Sequence, residues 1–178
     1  MAHPRSRRHP RRQEPLKTLL VLRHAKSSWS DESLDDHERP LNQRGRRDGP
    51  RMGTLVRDNE LTPNLIISSD AVRARATAEA VAEAADYDGE IRLEPRLYAA
   101  SPSDILAVLR TVRDDKAVMV MIVGHNPGLE GLIALLTGEQ LDLPTAALAR
   151  IDLPIDSWRD LDERVRGSLT DVWRPREL

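Results

Sequence analysis

The chain has 178 residues, of which 39% are apolar and 31% charged, with no cysteine and a formal net charge of −2 at pH 7. This length suits one domain, and the lack of cysteine excludes a disulfide frame, a thiol nucleophile and a thiolate metal site. No run approaches the ~20 apolar residues of a membrane span and no apolar signal segment follows the N-terminus, so we expect a cytoplasmic protein without a membrane partner.

Residues 1–16 form a basic segment. Five arginines and one acid, Glu14, give this segment a charge of +4 and leave −6 on residues 17–178. With three prolines and few apolar residues, the segment cannot bury enough surface to offset its ordering entropy, so we predict a disordered tail. An arm for nucleic acid is the alternative, but no aromatic residues interleave with the arginines and no second basic face is evident. We therefore expect no nucleic-acid partner and one domain over 17–178.

Strand-like and helix-like segments alternate along that domain. Apolar runs predict strands over about 17–22, 65–68, 91–93, 118–123 and 146–153, and 164–170 is an edge strand or return arm. Capping residues and spacing predict helices over about 43–58, 71–85, 102–112 and 127–136. The expected N-caps are Asn42, Ser69 or Asp70, and Ser101. The alternation predicts a single-domain three-layer α/β/α sandwich with a mostly parallel central sheet.

Three predicted strands end near residues that suit a phosphoryl group. Arg23 and His24 follow the first strand, Arg73 lies in the first turn of the helix after the second, and His125 follows strand 118–123. Ligands of such sheets bind beyond the carboxyl ends of the strands, so neighbouring strands would bring these four side chains together. Guanidinium groups can donate paired hydrogen bonds to phosphate, and a neutral imidazole can attack phosphorus.

A metal site is the alternative for two histidines with acids nearby. The run from Asp35 to Glu38 offers such acids beside His37. However, no His-x-x-x-His or His-Glu-x-x-His spacing and no dense carboxylate set is present. We therefore expect no metal, and we interpret this run as a solvated loop.

These motifs resemble those of the histidine phosphatase superfamily, which includes the phosphoglycerate-mutase-like enzymes. The resemblance rests on Arg23-His24-Ala25, on the run from Ser69 to Thr77 that contains Arg73, and on Gly124-His125. Within the superfamily the chain is most similar to the small SixA-type phosphohistidine phosphatases. Further shared segments are Arg23 to Ser27, Asp36 to Leu41, Gly124 to Pro127 and Pro144 to Ala149. The resemblance covers roughly residues 17–153.

The resemblance implies a metal-independent phosphatase that needs no cofactor. It makes His24 the nucleophile that forms a covalent phosphohistidine, with Arg23, Arg73 and His125 stabilising the phosphoryl group. Further candidates are Lys26, Ser27 and Asn126 as substrate contacts and Glu38 as an acid or base. The partner would be a phosphorylated protein or a small phosphate, and the sequence gives no indication of the oligomeric state.

Two departures from the larger relatives bear on the substrate. Those enzymes carry a long helical insertion between the second arginine and the second histidine, whereas ordinary sheet and helix elements separate Arg73 from His125, so we predict no helical lid.

The relatives also place a proton-donating glutamate in an Arg-Leu-x-Glu run, where this chain has Ala99. Alkoxide leaving groups need a general acid, while the P–N bond of phosphohistidine needs less help. The expected substrate is therefore phosphohistidine in a signalling or phosphotransfer protein. The alternatives are a small-molecule phosphomonoesterase, for sugar phosphates or nucleotides, and a non-catalytic phosphate-binding module.

Overall fold

The computed structural model describes residues 17–178, so the predicted tail over 1–16 lies outside the described residues. Within this range six strands form one sheet. Their bounds are β1 Lys17–Arg23, β2 Leu65–Ser68, β3 Ile91–Leu93, β4 Met119–Gly124, β5 Leu148–Leu153 and β6 Ser168–Trp173. The order across the sheet is β3-β2-β4-β1-β5-β6.

The sheet is mixed, with its parallel part on one side. Strands β1 to β4 are parallel neighbours, whereas β5 pairs antiparallel with both β1 and β6. The mostly parallel sheet is therefore confirmed. Because β2, β4 and β1 are adjacent and parallel, their carboxyl ends meet at one edge of the sheet.

Four helices cover the two faces of the sheet. They are α1 Gln43–Asp58, α2 Val72–Ala84, α3 Pro102–Leu109 and α4 Gly128–Thr137. Along β1, Leu20 and Leu22 belong to the core shared with α1 and α2, whereas Leu19 and Val21 belong to the core shared with α3 and α4. This alternation explains why β1 is apolar without interruption, and it confirms the three-layer fold. No large helical insertion lies between α2 and β4 in the described chain, as predicted.

Helix α1 contains three glycines although glycine disfavours a helix interior. A Cβ on Gly53 would lie 2.6 Å from the carbonyl oxygen of Val81, and one on Gly49 would lie 3.1 Å from the Cβ of Ala80. The glycines thus allow α1 and α2 to approach closely. Asn42 caps α1 as predicted, because its side chain accepts a hydrogen bond from the amide of Gly45.

The predicted N-cap of α2, Ser69 or Asp70, is wrong. The N-cap residue is Ala71, which provides no side-chain cap. Ser69 and Asp70 are suitable caps in sequence terms, but the Ser69 hydroxyl bonds to His125 and to the amide of Ala71, which precedes the helix, and the Asp70 carboxylate bonds to His37. Tertiary contacts therefore use both side chains.

Three other elements differ from the predictions by more than one residue. Helix α3 ends at Leu109 rather than near 112, because the amides of Thr111 and Val112 bond to carbonyls three residues back. Strand β5 begins two residues later than predicted, because Ala146 has a φ of 61° and its amide bonds to the carbonyls of Arg23 and His24. The edge strand is β6, which begins four residues after the start of the predicted 164–170 segment.

None of the helices between residues 17 and 178 combines the length and the apolar character that crossing a membrane requires.

Candidate active site

The two histidines lie side by side beyond the ends of β1 and β4. The amide of His24 bonds to the carbonyl of Gly124 at 3.0 Å, which continues the sheet past the end of β1. The ring centroids of His24 and His125 are 5.0 Å apart. The pairing of β1 with β4 therefore brings together two residues that lie about 100 positions apart in sequence.

His24 is buried and oriented by the backbone. Its Nδ1 lies 2.8 Å from the carbonyl oxygen of Ala25. A carbonyl only accepts hydrogen bonds, so Nδ1 carries the proton and Nε2 carries the lone pair. Burial, together with the nearby charged groups, lowers the pKa of His24 to about 3 although the Ala25 contact opposes this shift. The neutral imidazole thus presents a free Nε2, which is the form that a nucleophile requires.

Arg73 contacts both histidines. Its Nε lies 3.4 Å from Nε2 of His24, and its Nη2 lies 3.4 Å from Nδ1 of His125. Its Nη1 donates to the backbone oxygen of Asp36 at 2.6 Å, and Nη2 also donates to the carboxylate of Asp36 at 3.0 Å. The guanidinium therefore lies between the predicted nucleophile, the second histidine and a carboxylate.

His125 is oriented by Ser69, which directly follows β2. The Nε2 of His125 lies 2.8 Å from the fully buried hydroxyl of Ser69. Since the guanidinium of Arg73 only donates, the Nδ1 of His125 accepts, and Nε2 then donates to Ser69. Burial first, and then the charge of Arg73, lower the pKa of His125 to about 4. A rotation of the serine hydroxyl would allow the opposite tautomer, with Nδ1 as a donor.

Arg23 has an unsatisfied donor beside His24. Its Nη1 donates to the carbonyl of Leu143 at 3.1 Å, whereas its buried Nε has no hydrogen-bond partner within residues 17–178. Burial lowers the pKa of Arg23, and the charge of Arg73 acts in the same direction. A buried donor without an acceptor is costly, so an oxyanion at this position would be stabilised.

Asp36 is a site residue, so the interpretation of the run from Asp35 to Glu38 as a solvated loop is wrong for this position. Its carboxylate accepts hydrogen bonds from the hydroxyl of Tyr98 at 2.6 Å, from Arg73 and from Arg39. The bond from Tyr98, followed by the arginines, holds the pKa of Asp36 well below its usual range. Asp36 is therefore ionised at neutral pH and cannot serve as a proton donor there.

Thr77 connects the strand of the nucleophile to the helix of the anion-binding arginine. Its hydroxyl accepts from the amide of Ala25 at 2.9 Å and donates to the carbonyl of Arg73 at 2.7 Å. A sequence signal for this residue exists, because Thr77 is the last position of the run from Ser69 to Thr77. Its role as a link depends on contacts across 52 residues, which the run alone does not reveal.

Sequence comparison identifies the family. The family model described as histidine phosphatase superfamily (branch 1) matches residues 19–100. An uncharacterized chloroplast protein of Arabidopsis thaliana is 30% identical over 150 residues, which cover 80% of this chain and 69% of that protein. The chain belongs to the histidine phosphatase superfamily.

Solved structures of the superfamily share the fold. A protein of Agrobacterium tumefaciens assigned as phosphohistidine phosphatase SixA is 29% identical, with a TM-score of 0.74 over 89% of this chain and 98% of that one. A protein histidine phosphatase SixA in complex with tungstate is 21% identical, with a TM-score of 0.76 over 90% and 98%. A mycobacterial glucosyl-3-phosphoglycerate phosphatase is 20% identical, with a TM-score of 0.64 over 88% and 98%. The likeness places the chain in the SixA-type branch.

The position where larger superfamily members carry a glutamate is occupied by Ala99. This residue is exposed and has a φ of 53°. The nearest acid before it in sequence, Glu94, accepts hydrogen bonds from Arg92 and Arg96, and the bond from Arg96 is the main cause that lowers its pKa to about 2. Glu94 is therefore also ionised and does not replace the missing acid.

Two of the predicted substrate contacts bind the protein itself. The hydroxyl of Ser27 accepts a hydrogen bond from Arg39 at 2.8 Å. The amide nitrogen of Asn126 donates to Glu130 and to the carbonyl of Leu143, both at 2.9 Å. In the structure these side chains hold neighbouring loops in place.

The other two candidates lie on the loop after β1. Lys26 is half-buried, and its carbonyl accepts from the amide of Asn42 at the start of α1. Glu38 is exposed at the end of a short 3₁₀ turn, Asp36–Glu38. Within residues 17–178 no group of three or more histidines and acids could hold a metal ion.

Proposed function

We propose that this protein is a phosphohistidine phosphatase in which His24 carries the phosphoryl group during the reaction. The observation that carries the proposal is the orientation of His24, whose Nδ1 is bound to Ala25 and whose Nε2 lone pair faces Arg73. Membership of the superfamily supports phosphatase activity, and the low pKa of His24 supports a nucleophile that is neutral throughout the physiological range.

The first step transfers the phosphoryl group to His24. Arg23 and Arg73 bind its equatorial oxygens, and the Nη2 of Arg73 exchanges its bond to Asp36 for a phosphoryl oxygen. The Nε2 lone pair forms a bond to phosphorus while the P–N bond of the substrate breaks. The other ring nitrogen of the substrate histidine carries a proton, so the electron pair of that bond returns to the leaving nitrogen as a lone pair and a neutral imidazole departs.

The second step regenerates the enzyme. Water attacks phosphorus, the bond from phosphorus to Nε2 breaks, and the electron pair returns to His24 as inorganic phosphate leaves. When the Nη2 of Arg73 turns from His125 to the phosphoryl group, the Ser69 hydroxyl rotates to donate to Nε2 and the proton of the ring lies on Nδ1. In both steps this Nδ1 donates to a phosphoryl oxygen and stabilises the developing charge.

The leaving group distinguishes phosphohistidine from a phosphate ester. An alkoxide needs a general acid, but Asp36, which contacts Arg73, is held ionised, and Ala99 has no acidic group. Imidazole is a much weaker base than an alkoxide and leaves without such help. The site therefore favours a phosphoramidate over an alkyl ester, with exposed Glu38 as the remaining candidate donor.

The test is single-turnover dephosphorylation of a phosphotransfer domain that carries ³²P-phosphohistidine. We expect label loss with the wild-type protein and none with His24→Asn. We expect Arg23→Ala and Arg73→Ala to lose ~2–4 kcal/mol of transition-state stabilisation. Arg75→Ala is the matched control, because Arg75 is on the same helix but pairs with Glu79 at the surface. Retention of the label at stoichiometric wild-type protein would overturn the proposal.

A small-molecule phosphomonoesterase is the second candidate. The fold likeness to a glucosyl-3-phosphoglycerate phosphatase and an open cleft of about 450 Å³ beside Arg23 favour it. A turnover screen over sugar phosphates and nucleotides tests it, and strong selectivity for one ester would displace the phosphohistidine proposal.

The third alternative is a phosphate-binding module without catalysis. Such a module would bind phosphate but yield no acid-labile phosphate on His24.

A further inference from the structure

A cleft lined by arginines adjoins the candidate active site. It lies between the start of α1, the loop before β5 and the C-terminal 3₁₀ turn Pro175–Glu177, and its volume is about 450 Å³. We call it the arginine cleft. Its main lining residues are Arg23, Arg44, Leu143, Thr145, Arg174 and Arg176. This volume lies within the ~300–1,000 Å³ typical of small-ligand sites.

Arg23 belongs both to the cleft and to the candidate active site. It directly precedes His24, and its Nη1 bonds to the carbonyl of Leu143 in the cleft wall. When the phosphoryl group of a substrate contacts Arg23 and His24, the arginine cleft lies next to it. The part of the substrate that carries the phosphoryl group can therefore extend into this cleft.

The charges in the cleft favour an anion. Four arginines line it against three acids, Glu130, Asp142 and Glu177. Glu130 is already engaged, because one of its oxygens accepts from the side chain of Asn126 and from the amide of Leu143. The positive charge in the cleft therefore exceeds the negative charge.

The existing ion pairs of these arginines are long. Arg44 lies 3.6 Å from the buried Asp48, and Arg174 lies 3.7 Å from Glu177, whereas strong charge-assisted pairs are about 2.7–2.9 Å apart. Arg176 forms no ion pair with any residue in 17–178. The guanidinium groups thus retain donors for a ligand.

The wall that carries Arg176 is anchored. Pro175 is buried, and Arg51 on α1 donates to the terminal carbonyl oxygen of Leu178 at 3.3 Å. A guanidinium on an anchored turn loses less side-chain and loop entropy on binding than one on a free chain end. Arg176 is therefore well placed to determine specificity.

We propose that the arginine cleft binds a second anionic group of the substrate, a carboxylate or phosphate attached near the reacting phosphoryl group, with Arg176 as a specificity-determining residue. The inference rests on the proposed phosphatase function and identifies the substrate class as phosphates that carry a second anion. Two sources supply this chemistry: an acidic side chain beside a phosphohistidine, or the second anionic group of a small phosphate.

The experiment compares substrates that differ only in the second anion. The small-molecule pair is 4-carboxyphenyl phosphate and phenyl phosphate, and the peptide pair carries phosphohistidine followed by Glu or by Gln. We expect wild-type protein to show a higher kcat/KM for the anionic member of at least one pair. Arg176→Ala should reduce this preference about tenfold, mainly through KM, as loss of one charged hydrogen bond does, and Arg176→Lys should restore part of it.

Arg57→Ala is the control, because Arg57 lies at the other end of α1 and pairs with Asp58 at the surface. The pair that shows the preference identifies the source of the anion. Equal kcat/KM within both pairs, or a preference that Arg176→Ala leaves unchanged, would overturn the cleft proposal while phosphatase activity stands.

A binding measurement separates the two proposals if no substrate turns over. Calorimetry on His24→Asn measures the affinity for 4-carboxyphenyl phosphate and for phenyl phosphate. Tighter binding of the carboxylate compound that is lost in His24→Asn/Arg176→Ala supports the cleft even without turnover. Equal affinities would overturn it independently of the phosphatase proposal.

Discussion

Arg73 and Asp36 are joined by two hydrogen bonds, one from Nη1 to the backbone oxygen at 2.6 Å and one from Nη2 to the carboxylate at 3.0 Å. The carboxylate thus occupies a donor of the guanidinium that is proposed to bind phosphate. An incoming oxyanion competes with Asp36 for this donor and also experiences repulsion from its charge.

Asp36→Asn should therefore tighten the binding of oxyanions. The amide keeps an acceptor for Arg73 but removes the negative charge, so we expect tungstate to inhibit several-fold more strongly, by Coulomb's law at short range. Asp35→Asn is the matched control, because Asp35 is the neighbouring residue and its exposed side chain loses the same negative charge. Weaker tungstate inhibition in Asp36→Asn would show instead that the carboxylate mainly orients Arg73.

The position of the phosphoryl group on His24 is predicted by the tautomer. Because Nδ1 donates to the carbonyl of Ala25, only Nε2 has a free lone pair. Quenched turnover, followed by alkaline digestion and chromatography, should give the Nε2-phosphorylated isomer of phosphohistidine alone. Recovery of the Nδ1 isomer would contradict the assigned tautomer, and His24→Asn should give neither.

Ser69 is predicted to control the tautomer of His125. Its hydroxyl lies 2.8 Å from Nε2, so Ser69→Ala leaves this nitrogen without its partner and weakens donation from Nδ1 to the phosphoryl group. We expect kcat to fall about tenfold, less than the ~10²–10³-fold loss on removing a donor outright because His125 itself remains, together with a change in the ¹⁵N shifts of the His125 ring. Ser68→Ala is the control, since that hydroxyl is equally buried but bonds to the backbone of Ser69. Equal losses in the two variants would refute a specific role.

The activity should be insensitive to the ionisation of an ordinary histidine. With pKa values of about 3 for His24 and about 4 for His125, both rings are neutral from pH 5 to pH 8. The ratio kcat/KM, corrected for the ionisation of the substrate phosphate, should be level over this range, whereas a histidine of ordinary pKa ~6.5 would reduce it below pH 6. Imidazole NMR titration of each ring checks the assignment, and a midpoint near pH 6.5 would contradict it.

The same shifts predict how stability depends on pH. In the unfolded chain both histidines take up protons near pH 6.5, whereas in the folded protein they do so only near pH 3 and pH 4. Their contribution to the unfolding free energy is therefore fully present above pH 6.5 and is lost as the pH falls toward 4. Urea midpoints at pH 7 and pH 4.5 measure this loss, which should be smaller in His24→Asn/His125→Asn.

The strands, and the clustering of the four proposed site residues at one edge of the sheet, could be predicted from sequence because their signals are local. A buried parallel strand is a short apolar run, and Arg23, His24 and His125 directly follow two such runs. The family motifs then located Arg73. Because β2, β4 and β1 are adjacent and parallel, these residues then lie at the same edge of the sheet.

The polar partners of these residues could not be predicted, because they depend on contacts between distant segments. Asp36 lies 37 residues before Arg73, and Ser69 lies 56 residues before His125. The capping error at α2 has the same origin, since Ser69 is locally a good cap but bonds to a histidine from another strand. Asn126 stays a predicted substrate contact, and its bond to the carbonyl of Leu143, 17 residues away, is a further partner that the sequence does not reveal.

Thr77 fixes the distance between two functional groups without help from the loops around them. One hydroxyl binds both the backbone after His24 and the backbone of Arg73, so the spacing of these two stretches of backbone is set by two short bonds inside the core. Surface segments of variable length can therefore be exchanged for new specificities while the reactive geometry is inherited intact.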